Sequence, residues 1–277
     1  IMTKMKKAIL SYLLLLFVFT NLYSQDSIQS AKTDSANIQH ATENLSISQQ
    51  AVALYNNGDF RKVIELLETQ RNGQKEKGLE SSELYYNLGN AYFRVNDLAH
   101  ARLNYERAAL LDPGDRDIKH NINFLLTKIE DKIPTADTFF LSIWFNAIQN
   151  LSSTNTWAKT GIVSFLLFIG CLTLFFFTKN VNIKKAAFYC GIVLMIVVIF
   201  ANIFSFRQKS KVEHRDTAII MTGSAPILSS PDINSKEITI LHAGTKVSIT
   251  KEDRTWLEIE IDNGTVGWIQ KDKLEII

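Results

Sequence analysis

The stretch LYYNLGNAYFRVNDLAHARLNYERAALLDP, residues 84–113, decides the fold of the N-terminal half of this 277-residue chain. Large apolar side chains recur in it at helical spacing and alternate with small ones, which predicts two amphipathic helices in close contact. We expect the first helix over 84–95 and the second over 98–111, because Pro113 cannot continue it. The residues that define the pattern are Tyr85, Leu88, Gly89, Tyr92, Ala101, Tyr105, Ala108 and Pro113.

This helix–turn–helix unit resembles the tetratricopeptide repeat, whose period is about 34 residues. A weaker copy, SQQAVALYNNGDFRKVIELLET, occupies residues 48–69. Residues 115–130 form an amphipathic pattern typical of a closing helix, which such arrays need because a terminal repeat otherwise exposes its apolar side. We therefore predict a tetratricopeptide repeat domain with a closing helix over residues 44–132.

The resemblance implies a concave face, lined by the first helix of each repeat, that binds a protein partner. Aromatic side chains would supply contact area, and amides would bond to a peptide backbone. An alternative is that Tyr86 and Phe93 only pack against the next helix. The predicted partner-binding residues are Tyr86, Asn90, Phe93, Arg94 and Asn121.

Two apolar runs, residues 157–178 and 187–206, predict transmembrane helices. Each is long enough, at about 1.5 Å per residue, to cross a hydrocarbon core of about 30 Å. Helices buried in a soluble core are the alternative. The loop at 179–186 is basic, so the positive-inside rule assigns it to the cytoplasm and the soluble parts to the opposite side.

The N-terminus has the pattern of a signal peptide over residues 1–24, in which Lys4, Lys6 and Lys7 precede an apolar stretch. The peptide is either cleaved or kept as an anchor. Residues 25–43 contain few large apolar side chains, which predicts a disordered linker. These features together predict that both soluble domains lie on the side of the membrane opposite the cytoplasm.

Residues 133–156 predict an interfacial amphipathic segment before the first span. Its apolar stripe includes Phe140, Ile143 and Trp144 and carries almost no charge, which favours a helix lying on the outer leaflet. Packing of the stripe against the repeats is the alternative.

After a predicted linker at 207–216, residues 217–277 change to short alternating runs with a strong hairpin turn at Asp262-Asn263-Gly264. Such runs predict a small all-β barrel. The phrases LHAGTKVSI and WLEIEIDNGTVGWIQ resemble the bacterial SH3-like domain, whose members often bind wall peptides or proteins. We expect Trp256 and Ile259 to face one way and Trp268 to lie in the core. The structural residues of this domain are Gly244, Trp256, Gly264, Gly267 and Trp268.

The predicted fold class is an α+β multidomain membrane protein: an α-helical tetratricopeptide array, two transmembrane helices and a small all-β SH3-like barrel. This order of parts resembles the BatE family of the Bacteroides aerotolerance (Bat) operon. The resemblance implies a protein of the bacterial inner membrane, with both soluble domains on the periplasmic side. It would act beside partners with von Willebrand factor A domains and a MoxR-type AAA+ ATPase.

The sequence favours binding over catalysis. The five histidines are scattered, and the chain has no HExxH, no Gly-x-Ser-x-Gly and no phosphate loop, so we expect no enzyme activity, no cofactor and no metal. Neither soluble part is net basic, which disfavours nucleic-acid binding. Two hypotheses remain: a membrane-anchored scaffold that binds proteins through the repeat groove, and a cell-wall (peptidoglycan) binding or sensing protein that acts through the SH3-like domain.

Overall fold

The computed structural model describes residues 47–134 and 140–277. The predicted signal peptide, the predicted 25–43 linker and part of the predicted interfacial segment lie outside the described residues. The described residues divide into two units, with the boundary between Asn57 and Gly58. In the first unit, residues 47–56 form helix α1. That the two helices of the weaker repeat copy pack against each other stays a prediction.

The second unit begins with four helices: α2 (Phe60–Lys75), α3 (Ser82–Arg94), α4 (Leu98–Leu111) and α5 (Arg116–Leu126). The last three begin at side-chain N-caps, where Ser81, Asp97 and Asp115 accept backbone N–H bonds from the first turn. These caps satisfy donors that a helix start leaves open, which fixes where each helix begins.

Helices α3 and α4 are in contact at the glycine of the repeat pattern. A Cβ built on Gly89 would lie 2.5 Å from Cδ1 of Tyr105, closer than real contacts allow. Tyr105 is itself buried, in a cluster with Ala101, Leu125 and Ile129. The small residue thus makes room for the tyrosine ring, and the ring in turn connects α4 to the closing helix α5.

Three more helices follow: α6 (Phe140–Gln149), α7 (Thr154–Phe177) and α8 (Val181–Glu213). Helices α7 and α8 are long and apolar enough to cross a membrane. In the most apolar part of each helix, only 11% of the residues of α7 and 22% of those of α8 are buried. A core helix of a soluble protein would be mostly buried, so this exposure favours a lipid environment.

The predicted linker at 207–216 is for the most part helix. Helix α8 starts at Val181, inside the predicted 179–186 loop, and continues to Glu213. The polar stretch after Phe206 contains no Gly or Pro to end a helix, and Lys209 and Glu213 form an exposed i,i+4 pair at 3.6 Å. The second apolar helix therefore reaches the C-terminal domain as one continuous rod.

The C-terminal domain is a seven-stranded antiparallel sheet of order β3-β2-β6-β5-β4-β1-β7. The strands are β1 (Thr217–Ile220), β2 (Ser224–Leu228), β3 (Glu237–His242), β4 (Lys246–Asp253), β5 (Trp256–Glu260), β6 (Val266–Gln270) and β7 (Leu274–Ile276). Every strand contributes at least one apolar residue to a single core, including Ile269 of β6 and Leu274 of β7.

The prediction of a closed barrel was wrong. Strands β3 and β7 are the two ends of the sheet and are not paired with each other among the described residues. Strand β7 has only three residues and bonds to β1 alone, so it offers too little backbone to close the sheet. Instead Ile133, from the segment after the repeats, packs against the core.

The predictions for the two tryptophans of the sheet were also wrong. Leu257 and Ile259 are buried, whereas Trp256 is half-buried on the other face, because strand residues an odd number of positions apart point to opposite faces. Trp268 is half-buried too, and its neighbour Ile269 takes the core position.

Candidate functional site

A hydrogen-bonded network joins α3, α4 and α5 at the predicted groove. Nδ2 of Asn121 donates to Oδ1 of Asn90 at 2.9 Å and to the hydroxyl of Tyr86 at 3.2 Å. The Tyr105 hydroxyl donates to the same Asn90 oxygen at 2.7 Å. The structure thus brings three of the predicted partner-binding residues together, but it uses their polar groups to hold the repeat to its closing helix.

The other two predicted groove residues differ in accessibility. The ring of Phe93 packs against Phe124, with 5.7 Å between centroids, and Phe93 is half-buried. Arg94 is exposed, and its guanidinium carbon lies 4.6 Å above the ring of Phe60. Phe124 is 48% exposed, and Nζ of Lys128 lies 5.2 Å above its ring. Arg94 on α3, Phe124 on α5 and Lys128 just after α5 are therefore the exposed side chains here, and we call these three together the repeat surface.

A second feature, which the sequence did not indicate, is a docking interface between α4 and the sheet. Its apolar centre is a cluster of Leu103, Ile219 and Ile277, against which Leu110 and Met221 pack. Nη2 of Arg107 donates to Oε1 of Glu275 at 2.9 Å and to the carbonyl of Ile276 at 2.6 Å. The SH3-like domain is thus docked on α4, the second helix of the repeat.

Buried charges lie beside this centre. Glu106 accepts from Nε of Arg102 at 2.8 Å and from Nζ of Lys246 at 2.7 Å, and both Arg102 and Glu106 are buried. Burial would raise the pKa of Glu106, but the positive charges of Lys246 and Arg102 outweigh it and hold that pKa below its usual value. The carboxylate is therefore ionised, and it connects the repeat to strand β4.

Asp131 forms a third contact between repeats and sheet. One carboxylate oxygen accepts from the backbone of His242 at 2.7 Å and from the Thr245 hydroxyl at 2.6 Å, and the other lies 2.7 Å from Nδ1 of His242. Burial opposes ionisation of Asp131, yet these hydrogen bonds outweigh it and lower its pKa. The hydrogen bond between the Asp131 carboxylate and the His242 imidazole also raises the pKa of His242. Nearby, Gly244 has φ +90, and a Cβ there would lie 2.9 Å from Ile129.

The outer face of the sheet carries the two tryptophans. Trp256 lies opposite Gln270 and Trp268 opposite Glu258 in the β5–β6 pair, so the indoles are diagonal neighbours on one face. Both are half-buried. An aromatic surface of this kind suits a sugar ring or a peptide.

Helix α6 leaves an apolar face uncovered next to the long helices. Phe140, Ile143 and Trp144 are 68%, 56% and 63% exposed. On its other side Phe145 packs edge-on against Phe204 of α8 at 5.0 Å, and Nε1 of Trp157 donates to the Gln149 carbonyl at 2.9 Å. The exposed stripe is therefore fixed to the apolar helix pair.

Comparison with protein families identifies both soluble domains. Residues 82–115 match the tetratricopeptide repeat, and residues 223–275 match the bacterial SH3 domain. The predicted presence of a tetratricopeptide repeat and of a bacterial SH3 domain is confirmed. No curated protein matches the chain at a significant level.

Among the described residues, no three His, Cys, Asp or Glu side chains come together in a way that could hold a metal ion. The docking residues were missed in the sequence because their partners lie more than 100 residues away. The charged residues of α4 that take part in docking are Arg102, Glu106 and Arg107, and nothing in the sequence distinguishes them from surface charges on the outside of a repeat helix.

Proposed function

We propose that this chain is a membrane-anchored envelope scaffold that binds protein partners through the repeat surface. The observation that carries the proposal is the difference between the two helices of the repeat: α4 is covered by the SH3-like domain, whereas Arg94 on α3 stays exposed, as does Phe124 on α5. Tetratricopeptide repeats are protein-binding modules, and Arg and aromatic side chains are enriched where such surfaces bind most tightly. Binding is proposed in place of catalysis.

The anchor in this proposal is the helix pair α7 and α8, with the exposed stripe of α6 lying at the membrane surface. Trp and Tyr favour that depth, and an apolar stripe with almost no charge suits it. The basic loop would lie in the cytoplasm and both soluble domains in the periplasm of the inner membrane. Reporter fusions after Glu275 and at Asn182 test this arrangement: the first should be active only outside the cytoplasm, and the second only inside.

The partners to test first are those implied by the resemblance to the Bat operon, proteins with von Willebrand factor A domains and a MoxR-type ATPase. Arg94→Ala removes an exposed cation and a ring contact without touching the Asn90 network. Cross-linked pull-down from membranes should then lose its protein partners. Arg61→Ala, an equal charge change at an exposed position on α2, is the matched control and should keep them. Equal recovery from Arg94→Ala and wild type would refute binding at the repeat surface.

The tryptophan face favours a second candidate, peptidoglycan binding through the SH3-like domain. Two half-buried indoles on the outer face of one hairpin offer the kind of platform that a glycan or wall peptide needs. Sedimentation of the full chain with purified peptidoglycan tests it. If Trp256→Ala with Trp268→Ala abolishes binding to the wall while Arg94→Ala has no effect on partners, the wall-binding function should replace the scaffold.

A further inference from the structure

A cavity of about 340 Å³ lies where the repeat, the end of α8 and the sheet meet. Glu106 of α4, Gln208 and Lys211 of α8, and Thr217 of β1 line it, and Asn150 contributes from the turn before α7. Its volume is at the lower end of the range for small-ligand sites. It does not overlap the repeat surface or the tryptophan face.

The side chains around this cavity are unevenly charged. Four basic residues, Lys119, Lys211, Arg215 and Lys246, face two acidic residues, Glu106 and Asp216. Lys246 is paired with Glu106, and Arg215 is paired with Glu80. Two lysines therefore remain without a carboxylate partner in the described part of the chain.

Those two lysines are available to an anion. Nζ of Lys119 donates to the neutral backbone carbonyl of Asn150 at 3.3 Å. Lys211 makes no ion pair among the described residues, and partial desolvation together with the charges of Arg207 and Lys246 lowers its pKa, with Asp216 opposing that shift only in part. The cavity thus has a positive potential that a bound anion would relieve.

The position of Lys211 along α8 indicates where the anion comes from. It lies five residues beyond Phe206, the end of the predicted span, and at about 1.5 Å per residue this is about 7.5 Å. The headgroup layer of each leaflet is about 5–8 Å thick. In the same region the exposed aromatic stripe of α6 would meet the acyl chains, so a ligand with a phosphate and an apolar tail fits both surfaces.

We propose that the cavity binds the phosphate of an anionic membrane phospholipid, with Lys119 and Lys211 as its ligands. The lipid would fill the space between the repeat, the membrane helix and the SH3-like domain, and so favour their docked arrangement. This inference rests on the membrane insertion proposed above, but not on the identity of any protein partner.

The test uses the full chain purified in neutral detergent and titrated with phosphatidylglycerol or phosphatidylcholine, with thermal unfolding as the readout. Phosphatidylglycerol should raise the melting temperature more than phosphatidylcholine. Lys119→Gln with Lys211→Gln should weaken apparent binding of phosphatidylglycerol roughly 25-fold, since each lysine at a membrane surface is worth about fivefold. Lys236→Gln with Lys251→Gln, an equal charge change at two exposed positions of the C-terminal domain, should bind as wild type does.

Three outcomes would overturn the proposal: equal effects of the two lipids, an unchanged affinity of the Lys119/Lys211 variant, or saturation by inorganic phosphate at the same concentration, which would indicate a soluble anion. If the double variant melts early without lipid, Lys211→Gln alone serves in its place. Extraction of membranes with alkaline carbonate separates the two levels of failure. Release of the chain would refute the proposed anchor, whereas a retained chain with no lipid preference refutes only the lipid site.

Discussion

Asp131, five residues past the end of the closing helix, accepts hydrogen bonds from the backbone and the imidazole of His242 in the sheet, each at 2.7 Å. The two residues are 111 positions apart in the chain. Thr245 donates to the same carboxylate, so one side chain connects the repeats to the turn before β4. The SH3-like domain is therefore docked on the repeats through specific polar contacts as well as through the apolar cluster around Leu103.

This pair predicts a pH-dependent contribution to docking. The pKa of His242 is raised above its ordinary 6.5. The stability that His242 contributes to docking is therefore fully present below pH 6.5 and is lost as pH rises through the folded-state pKa. The pKa of Asp131 is lowered below its ordinary 3.8. The stability that Asp131 contributes to docking is therefore present above pH 3.8 and is lost as pH falls through the folded-state pKa. Docking should be strongest between about pH 3.8 and 6.5.

Hydrogen exchange of the sheet, measured against pH, checks this expectation. Protection in wild type should exceed that in His242→Asn at pH 6, and the difference should shrink in mildly alkaline buffer. Glu130, 3.5 Å from the other ring nitrogen, adds to the effect. His120→Asn, at an exposed position on α5, is the control and should follow wild type. A pH profile shared by wild type and His242→Asn would contradict the assignment.

Gly89→Ala should destabilise the repeat by about 1–3 kcal/mol, because the new methyl group would overlap the Tyr105 ring and force it to move. Gly73→Ala is the matched control: nothing lies within 4 Å of a Cβ there, and alanine is the better helix former by about 0.5–1 kcal/mol. Denaturant unfolding of the full chain should therefore move in opposite directions for the two variants. Stabilisation by both would mean that α3 and α4 are not in contact at this position.

Asn90→Ala should cost about 1–3 kcal/mol, since it removes the acceptor that Tyr105 and Asn121 share at the contact between α3, α4 and α5. Asn87, on the same helix, makes no side-chain hydrogen bond among the described residues, and Asn87→Ala should change the free energy of unfolding by less than about 0.5 kcal/mol. Thermal melts of both variants decide the matter. If the Asn90→Ala variant were as stable as wild type, Asn90 would again be assigned to partner binding and not to holding the helices together.

Glu106→Gln should destabilise the docked structure by about 3 kcal/mol or more, because it leaves the buried Arg102 and its neighbour Lys246 without a negative charge between them. Glu252→Gln breaks an exposed pair with Lys271 and should cost less than about 1 kcal/mol. Denaturant unfolding measures both. Equal effects would show that the Glu106 cluster is as well solvated as the surface pair.

The sequence by itself determined the elements whose signals are local. The alternation of large and small residues predicted α3 and α4, and the second helix was predicted over the residues it occupies, because capping and proline chemistry act within a few positions. The uncharged runs predicted the two long apolar helices, and the turn chemistry predicted an antiparallel sheet with a bacterial SH3 pattern. Each of these signals depends only on neighbours in the chain.

Only the tertiary structure decided what those elements do to one another. Asn90 and Asn121 looked available to a partner in the sequence, yet they bond to each other because α5 folds against α3. Trp268 looked like a core residue, yet the register of β5 and β6 gives the core to Ile269. Docking of the sheet on α4 depends on pairs such as Lys246 with Glu106, 140 positions apart. Such pairings follow from how the whole surface of each element fits its neighbours, and a local pattern contains no record of that fit.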